Sequence, residues 1–277
     1  MYQTIRRNIL QILDTTQLLV PLRGFYNWSR YFFNINVRKE NRQFTKNGSP
    51  DGHPLPPPAL IHLVCGSYSY SAFYENGKNG ADCIRNILIK NNLRIEQFSS
   101  VYDFGCGCGR VMRHWHTLKN SKLYGSDYNP ALIKWCRDFL PFAEFSVNPL
   151  AERTIYKDCQ FEFIYSISVF THLVEPMQHF WIGEMKRLLK PGGYLYVTTL
   201  GTTHLYRLTI EERKLYDEGK LVVRHEKHPG SNFCLAFHPY QYFREFMCDG
   251  FTLIEYIPGG AYDAAKQDVY LLRKNLK

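Results

Sequence analysis

Residues 101–110 read VYDFGCGCGR, which places three glycines at alternate positions directly after a short apolar run. The run SSVYDF has the pattern of a buried β-strand, and residues 110–115 open with the pattern of a helix. Gly105, Gly107 and Gly109 therefore fall in a strand-to-helix turn. Glycine adopts positive φ and lets a ligand approach the backbone, while a helix N-terminus offers unpaired N–H groups. The stretch predicts a turn that holds a nucleotide-like cofactor.

The spacing of the glycines separates two kinds of cofactor. A dinucleotide pyrophosphate is held by G-x-G-x-x-G, whereas this chain has G-x-G-x-G followed by Arg110. A nicotinamide dehydrogenase is disfavoured on that ground. Residues 122–127, KLYGSD, read as a second strand that ends in Asp127, where a carboxylate accepts hydrogen bonds from a ribose diol. The two segments together favour a ribose-bearing cofactor other than a dinucleotide.

Length and composition agree with a folded enzyme. The chain has 277 residues, of which 45% are hydrophobic and 21% are charged, close to the averages for globular proteins. It has no apolar run of the roughly 18 residues that a membrane span needs and no secretory signal pattern, which predicts a cytoplasmic protein. Its eight cysteines never form a C-x-x-C pair, which argues against a disulfide framework and predicts no metal site.

The net charge of +9 is unevenly distributed. Residues 1–50 hold eight basic and two acidic residues, and residues 5–20 place isoleucines and leucine at helical spacing. The favoured interpretation is an extra helical segment that packs against the main domain. Docking of residues 1–46 on an anionic membrane surface, or on another protein, is the alternative. No nucleic-acid partner is indicated, because the excess positive charge lies mainly in this one segment.

A proline-rich stretch divides the chain. Residues 47–58, NGSPDGHPLPPP, predict an extended linker, because successive prolines enforce a backbone with few N–H donors. The predicted units are an N-terminal extension with linker over 1–58 and a catalytic domain over 59–277. Helical patterns cover 59–65 and 81–93, with SYSYSAFYENGKNG between them.

Five stretches together, the glycine turn and the second strand among them, form a recognisable series. VYDFGCGCGR, LYGSDYNP, FAEFSVN, FEFIYSISVFTHL and LLKPGGYLYVTT resemble the successive motifs of the class I S-adenosylmethionine-dependent methyltransferases, over residues 95–277. The resemblance implies an α/β, Rossmann-like, seven-stranded and mostly parallel sheet with the last strand antiparallel and helices on both faces. PPPALIHLVCGS, GSNFCLAFHP and QDVYLL further resemble a bacterial subgroup that accompanies glycan-assembly enzymes.

The resemblance implies S-adenosylmethionine as the cofactor and S-adenosylhomocysteine as its product. Asp103 would hold the amino end, Asp127 the ribose, and Tyr128 and Asn148 the adenine. The alternative is that Asp103 caps the following helix and that Tyr128 is ordinary packing. The implied cofactor-binding residues are Asp103, Gly105, Cys106, Gly107, Gly109, Asp127, Tyr128, Asn148 and Ser166.

The catalytic residues are less sharply indicated. Methyl transfer needs chiefly alignment, and a general base only where the acceptor must lose a proton. His172, after the strand FEFIYS, is the leading candidate base, and His204, after TTLG, is the second. His114 and His116 are interpreted as surface or packing residues.

Substrate contacts are expected from elements that cover the site. Phe73 lies before the catalytic core, with Tyr70 and Tyr74 beside it, and Trp181 and Asn232 are the other candidates. The segment 201–238 predicts a lid over the substrate. Its residues Arg224, His225, Lys227 and His228 either meet an anionic substrate or form a solvated face.

The predicted function is transfer of a methyl group to an oxygen or nitrogen of a small molecule or glycan intermediate. Two alternatives stay open. An RNA or protein methyltransferase would use the basic N-terminal segment, and a non-catalytic scaffold would bind the cofactor without turnover. The oligomeric state is not indicated.

Overall fold

The computed structural model describes residues 33–262 and 266–276, together with Ser29 and Tyr31. The predicted amphipathic helix over 5–20 lies outside these residues. The α-helices are α1 (Ile35–Asn47), α2 (Pro58–Cys65), α3 (Tyr70–Lys90), α4 (Pro130–Phe139), α5 (Glu175–Leu188), α6 (Ile210–Asp217) and α7 (Tyr240–Tyr242), which continues as a π-helical turn over Phe243–Met247. Short 3-10 helices cover Ile95–Gln97, Met112–Trp115, Phe170–His172 and Thr202–Arg207.

Seven strands form the main sheet, in the order β3-β2-β1-β4-β5-β9-β8. The strands are β1 (Ser100–Phe104), β2 (Lys122–Asp127), β3 (Glu144–Val147), β4 (Phe161–Ser166), β5 (Leu189–Thr199), β8 (Phe251–Ile257) and β9 (Asp268–Lys274); β6 (Val222–Arg224) and β7 (Leu235–Phe237) form a separate antiparallel pair. Strands β1 to β5 pair in parallel, and β9 lies antiparallel between β5 and β8. The predicted fold class is confirmed, and all five parallel strands end at one edge, the carboxyl edge.

Hydrophobic cores cover both faces of this sheet. One core joins α3 and α4 to the sheet through residues such as Phe73, Ile84 and Trp135. The other joins α5 and the π-helical turn to the opposite face, through Trp181, Met185 and Phe243. Alternating side chains of the central strands supply both cores, which is the pattern of a sheet buried on each face. The sheet is therefore a rigid platform for the loops at its carboxyl edge.

Helix α3 is longer than the predicted helix over 81–93. It starts at Tyr70, where the Ser69 hydroxyl accepts a hydrogen bond from Ala72 N, and it runs through Gly77 and Gly80. A Cβ at Gly77 would lie 2.0 Å from the carbonyl oxygen of Arg110. The glycines are thus close-packing positions rather than helix breakers, and they let α3 lie directly against the glycine loop.

The helix predicted to open at residue 110 is much shorter than expected. Only the 3-10 helix Met112–Trp115 forms there, with Arg113 N bonded to Gly109 O and His114 N to Val111 O. The chain then turns back toward β2. One reason is the Arg113 side chain, which points into a buried ion pair instead of lying along a helix surface.

Residues 48–57 of the proline-rich segment lie outside helices and strands, and they are anchored to the domain. Arg113 donates to both Asp51 oxygens at 2.5 and 2.9 Å, and it also donates to the Ser49 hydroxyl and the His53 carbonyl. Both charged side chains are almost fully buried. Burial alone would raise the pKa of Asp51, but hydrogen bonds from Arg113 and Ser49 lower it to about 2.

Helix α1 also contacts the domain. The Asn41 amide donates to Tyr68 O at 2.8 Å and accepts from Tyr70 N at 2.9 Å, so it joins α1 to the start of α3. The interpretation of the N-terminal extension as a whole stays a prediction. Across the described part of the chain, no helix is both long and apolar enough to span a membrane.

We expect Asp51→Ala to destabilise the protein by about 3–5 kcal/mol, because it leaves the Arg113 guanidinium buried without its counter-charge. The measurement is urea unfolding at neutral pH. Asp138→Ala is the control, since it removes only an exposed pair with Lys134 and should cost less than about 0.5 kcal/mol. Equal, small losses in both variants would contradict the anchoring role of Asp51.

Candidate functional site

The glycine loop forms the floor of the site. Gly105, Gly107 and Gly109 all have positive φ, which residues with a Cβ rarely adopt. A Cβ would lie 2.2 Å from a Val169 methyl at Gly105 and 2.7 Å from a Val64 methyl at Gly107. The loop backbone therefore stays bare because neighbouring side chains leave no room for another atom.

Loop geometry is also fixed by hydrogen bonds. Gly105 N and Cys106 N both donate to Ser126 O, and the thiols of Cys106 and Cys136 both reach Gly107 O. Cys106 is buried and its thiol is occupied inside the turn. Its side chain thus supports the loop from within.

Asp103 lies one residue before the end of β1 and is almost completely buried. Its Oδ2 accepts a hydrogen bond from the Tyr165 hydroxyl at 2.9 Å. Burial raises the pKa of Asp103 to about 7, although the Tyr165 hydrogen bond and the Arg110 charge oppose this, and the Asp127 charge adds to it. Such a carboxyl group is poised to ionise against an incoming cation.

Asp127 ends β2 and is also buried. Its Oδ2 accepts from Gly107 N at 3.0 Å and its Oδ1 from Asn129 N at 2.9 Å, which ties the carboxylate to the glycine loop. Burial raises the pKa of Asp127, and the two backbone hydrogen bonds counteract that rise. The carboxylate is held rigidly at the carboxyl edge, beside the bare backbone.

Asn148 and Ser166 follow on the neighbouring strands. The Asn148 amide donates to Pro149 O, while its Oδ1 is buried and has no hydrogen-bond partner among the described residues. Ser166 Oγ, at the end of β4, is buried and unpaired within the same part of the chain. Tyr128 keeps 42% of its surface exposed. Unpaired buried acceptors are costly, so these atoms call for a ligand or ordered water.

Residues 228–234 of the predicted lid cross this edge. Asn232 Nδ2 donates to Leu63 O on α2 at 3.0 Å, and Gly230 N donates to His172 O at 2.7 Å. Gly230 leaves no room for a Cβ, which would lie 2.7 Å from Leu150 and 3.5 Å from Tyr128. The segment therefore lies over Tyr128 and bridges α2 to the loop after β4.

His172 is joined to the same segment by its side chain. Its Nδ1 lies 2.7 Å from Cys234 O, and a carbonyl only accepts, so Nδ1 carries the proton and Nε2 carries the lone pair. Burial lowers the pKa of His172, although the hydrogen bond to Cys234 opposes this. The imidazole is neutral near pH 7, with Nε2 as its basic nitrogen.

The other candidates are placed differently. His204 is almost buried in the 3-10 helix after β5. Burial raises the pKa of the Asp268 carboxyl, and the electrostatic interaction with His204 is one of the effects that oppose this rise. Phe73 and Trp181 have almost no exposed surface and belong to the two cores. Trp181 donates to Leu150 O and packs against Phe104. Contact of Phe73 or Trp181 with a substrate is not supported, because each is covered by its own core.

A family model described as a methyltransferase domain matches residues 102–197, which run from β1 into β5. The matched region contains the glycine loop and Asp127, and the strand order around it is that of the class I fold. Residues 102–197 therefore form a methyltransferase domain, and the sheet around it has the class I fold of S-adenosylmethionine-dependent methyltransferases.

Solved structures share the fold of this methyltransferase. A SAM-dependent methyltransferase from Methanosarcina mazei is 20% identical, with a TM-score of 0.51, over 68% of this chain and 98% of that one. The Burkholderia thailandensis 1,6-didemethyltoxoflavin-N1-methyltransferase is 16% identical, with a TM-score of 0.51, over 80% and 92%. Human N-acetylserotonin methyltransferase is 14% identical, with a TM-score of 0.51, over 79% and 57%.

The site of the methyltransferase fits its cofactor chemically. A buried carboxylate suits an ammonium group, a second carboxylate at a strand end suits a ribose diol, and the unpaired Oδ1 of Asn148 suits an amino group. Sequence reasoning missed Tyr165, Val64 and Val169. For Tyr165 a signal was available: it lies one residue before the end of β4, as Asp103 does in β1, and parallel pairing makes them neighbours.

The methyltransferase should lose stability through Asp103 as pH rises. The folded pKa of about 7 exceeds the ordinary 3.8, so the contribution is fully present below about pH 4 and is lost as pH rises through 7. We expect Asp103→Asn to gain stability relative to the wild type as pH rises from about 4 to 7, by up to about 1.4 kcal/mol per pH unit, and to gain no more at higher pH.

The measurement is urea unfolding of the ligand-free protein at several pH values. The histidines His114, His172 and His238 have pKa values lowered by burial and make stability rise with pH, which is the opposite slope. Their effect is the same in variant and wild type, so the difference between the two reports Asp103 alone. Asp138→Asn is the control, because Asp138 is exposed. A pH-independent difference for Asp103→Asn would contradict the titration.

Proposed function

We propose that this methyltransferase binds S-adenosylmethionine at the carboxyl edge of β1 to β4 and transfers its methyl group to an oxygen or nitrogen of a small molecule or glycan intermediate. One observation carries the proposal. Two buried carboxylates and an unpaired buried amide oxygen surround a glycine loop that neighbouring side chains keep free of Cβ atoms.

Each cofactor group has a matching residue on this chain. Asp103 would accept hydrogen bonds from the ammonium group, and Asp127 from the ribose hydroxyls. Asn148 Oδ1 would accept from the adenine amino group, with the exposed Tyr128 ring beside it. Gly105, Cys106, Gly107 and Gly109 contribute backbone, and Ser166 Oγ is an additional unpaired polar atom at the end of β4.

The bound cofactor supplies an electrophilic methyl group on a sulfonium. The residues of this chain then have two tasks, alignment of the acceptor and removal of its proton. His172 is the favoured base, because Cys234 O holds its Nδ1–H and leaves Nε2 to take a proton. His204, in the 3-10 helix after β5, is the second candidate.

The position of the predicted lid favours a small methyl acceptor. Residues 228–234 bridge α2 and the loop after β4, which suits a substrate enclosed between lid and sheet edge better than a long polymer. Arg224 forms an ion pair with Glu212 and donates a hydrogen bond to Arg207 O. Its guanidinium therefore stabilises the lid segment, which argues against a role in binding an anionic substrate. The glycan assignment and the bacterial subgroup rest on sequence resemblance.

The two alternative functions make different demands on the protein. An RNA or protein methyltransferase would depend on the basic residues of segment 1–50, most of which lies outside the described residues. A scaffold would bind cofactor without turnover. The boundary at residue 58, membrane docking of 1–46 and a cytoplasmic location stay predictions.

Binding of the cofactor is tested first. Isothermal titration calorimetry should show binding of S-adenosylmethionine and S-adenosylhomocysteine by the wild type and no binding of NAD. Asp127→Ala should weaken both about tenfold or more, because charge-assisted hydrogen bonds are lost. Asp138→Ala is the matched control, with an exposed carboxylate removed. Absence of adenosyl binding by folded wild-type protein would overturn the proposed function.

The base is tested by His172→Asn. The asparagine amide can replace Nδ1–H as donor to Cys234 O but cannot accept a proton at the position of Nε2. With an acceptor found by a substrate screen, we expect kcat to fall about 10²–10⁴-fold. Affinity for S-adenosylhomocysteine should stay within about twofold. Wild-type turnover in this variant would exclude His172 as the base and direct attention to His204.

A further inference from the structure

Tyr165 lies beside Asp103 in the centre of the sheet. The two residues pair across β1 and β4, and the Tyr165 side chain has no exposed surface. Its hydroxyl lies 2.9 Å from Asp103 Oδ2 and 3.1 Å from Trp115 Nε1. Tyr165 therefore links the 3-10 helix after the glycine loop to the carboxylate at the end of β1.

The direction of these hydrogen bonds follows from chemistry. An indole N–H only donates, so the Tyr165 oxygen accepts from Trp115 and its own proton is directed to Asp103. The other acceptor in reach, the Met112 sulfur, lies 4.0 Å away and is weak. Trp115 is itself fixed, because it is fully buried and the Arg85 guanidinium lies 4.5 Å above its ring.

The hydrogen bond has two effects on Asp103. It occupies Oδ2 and leaves Oδ1 for a ligand, and it favours the ionised carboxylate against the cost of burial. The groups whose charges act on Asp103 are Arg110, which supports ionisation, and Asp127, which opposes it. Tyr165 is thus a neutral donor that supports a charge inside the core.

We propose that Tyr165 is a positioning residue for the amino group of the cofactor: its hydroxyl donates to Asp103 Oδ2 and so leaves Oδ1 for the ammonium. The inference rests on the proposed function. It adds that recognition of the amino-acid tail depends on a residue that acts on the cofactor only through Asp103. Ligands without the tail should be insensitive to Tyr165.

The test compares two probes by isothermal titration calorimetry, S-adenosylhomocysteine and 5′-methylthioadenosine, which lacks the amino-acid tail. In Tyr165→Phe we expect affinity for S-adenosylhomocysteine to fall about tenfold or more at pH 7, with the affinity for methylthioadenosine within twofold of the wild type. Tyr102→Phe is the matched control, because it removes another buried hydroxyl, bonded to Ser126, from the opposite face of the sheet.

A pH series separates positioning from a general structural role. In the wild type, the affinity for S-adenosylhomocysteine divided by the affinity for methylthioadenosine should rise between pH 6 and 7.5, because Asp103 ionises in this range. Tyr165→Phe should move this rise to higher pH. Titration of Asp127 cancels in the ratio, because both probes carry the ribose. Trp115→Phe, which removes the donor to Tyr165, should give the same pattern with a smaller loss.

The outcomes are distinct. If the wild type binds neither probe, the proposed function fails and this inference fails with it. If the wild type binds both, and Tyr165→Phe weakens both equally or neither, the inference is overturned while the proposed function stands. If Tyr165→Phe does not fold, Trp115→Phe decides: selective weakening of S-adenosylhomocysteine supports the inference, and equal effects on both probes overturn it.

Discussion

The bare backbone between Gly105 and Gly109 is the constraint on which the site depends. Each glycine adopts a positive φ, and a Cβ at any of them would collide with a valine or leucine side chain. Helix α3 is adapted to the same loop, since Gly77 lets it approach the Arg110 carbonyl. The central strand can therefore turn sharply and leave a polar, accessible surface at the carboxyl edge.

Ionised carboxylates at the carboxyl edge raise the free energy of the folded protein when no ligand is bound. Asp103 and Asp127 are buried close enough for each to raise the other's energy when both are ionised, and only a few donors offset this. The protein tolerates the cost because packing on both sheet faces holds the strands in place. A cationic ligand group would stabilise the ionised form of a buried carboxylate, because it supplies the counter-charge that the buried site lacks. The same burial therefore favours a cationic ligand over a neutral one.

The lid and the candidate base form one connected unit. Residue 172 accepts from Gly230 through its backbone and donates to Cys234 through its ring, so the lid and the imidazole orient each other. Asn232 fixes the far side of the same segment to α2. The orientation of the His172 ring is therefore fixed by contacts with residues 230 and 234.

The sequence by itself determined the features that depend on local chemistry. The glycine turn, the acidic residues near the ends of β1 and β2 and the alternation that marks the strands are all short-range patterns. Through the family resemblance that they carry, they predicted the fold and a cofactor-binding loop. Helix α3 was only partly predicted, because glycine is a breaker by local propensity and a contact position by packing.

Only the tertiary structure decided which distant side chains meet. Tyr165 and Asp103 are 62 residues apart, as are Arg113 and Asp51, and as are His172 and Cys234. The sequence suggested Phe73 and Trp181 as substrate contacts, but the structure places each of them inside one of the two hydrophobic cores. The physical reason is that hydrogen bonds and burial depend on ångström distances between elements, which follow from strand register and packing rather than from neighbours along the chain.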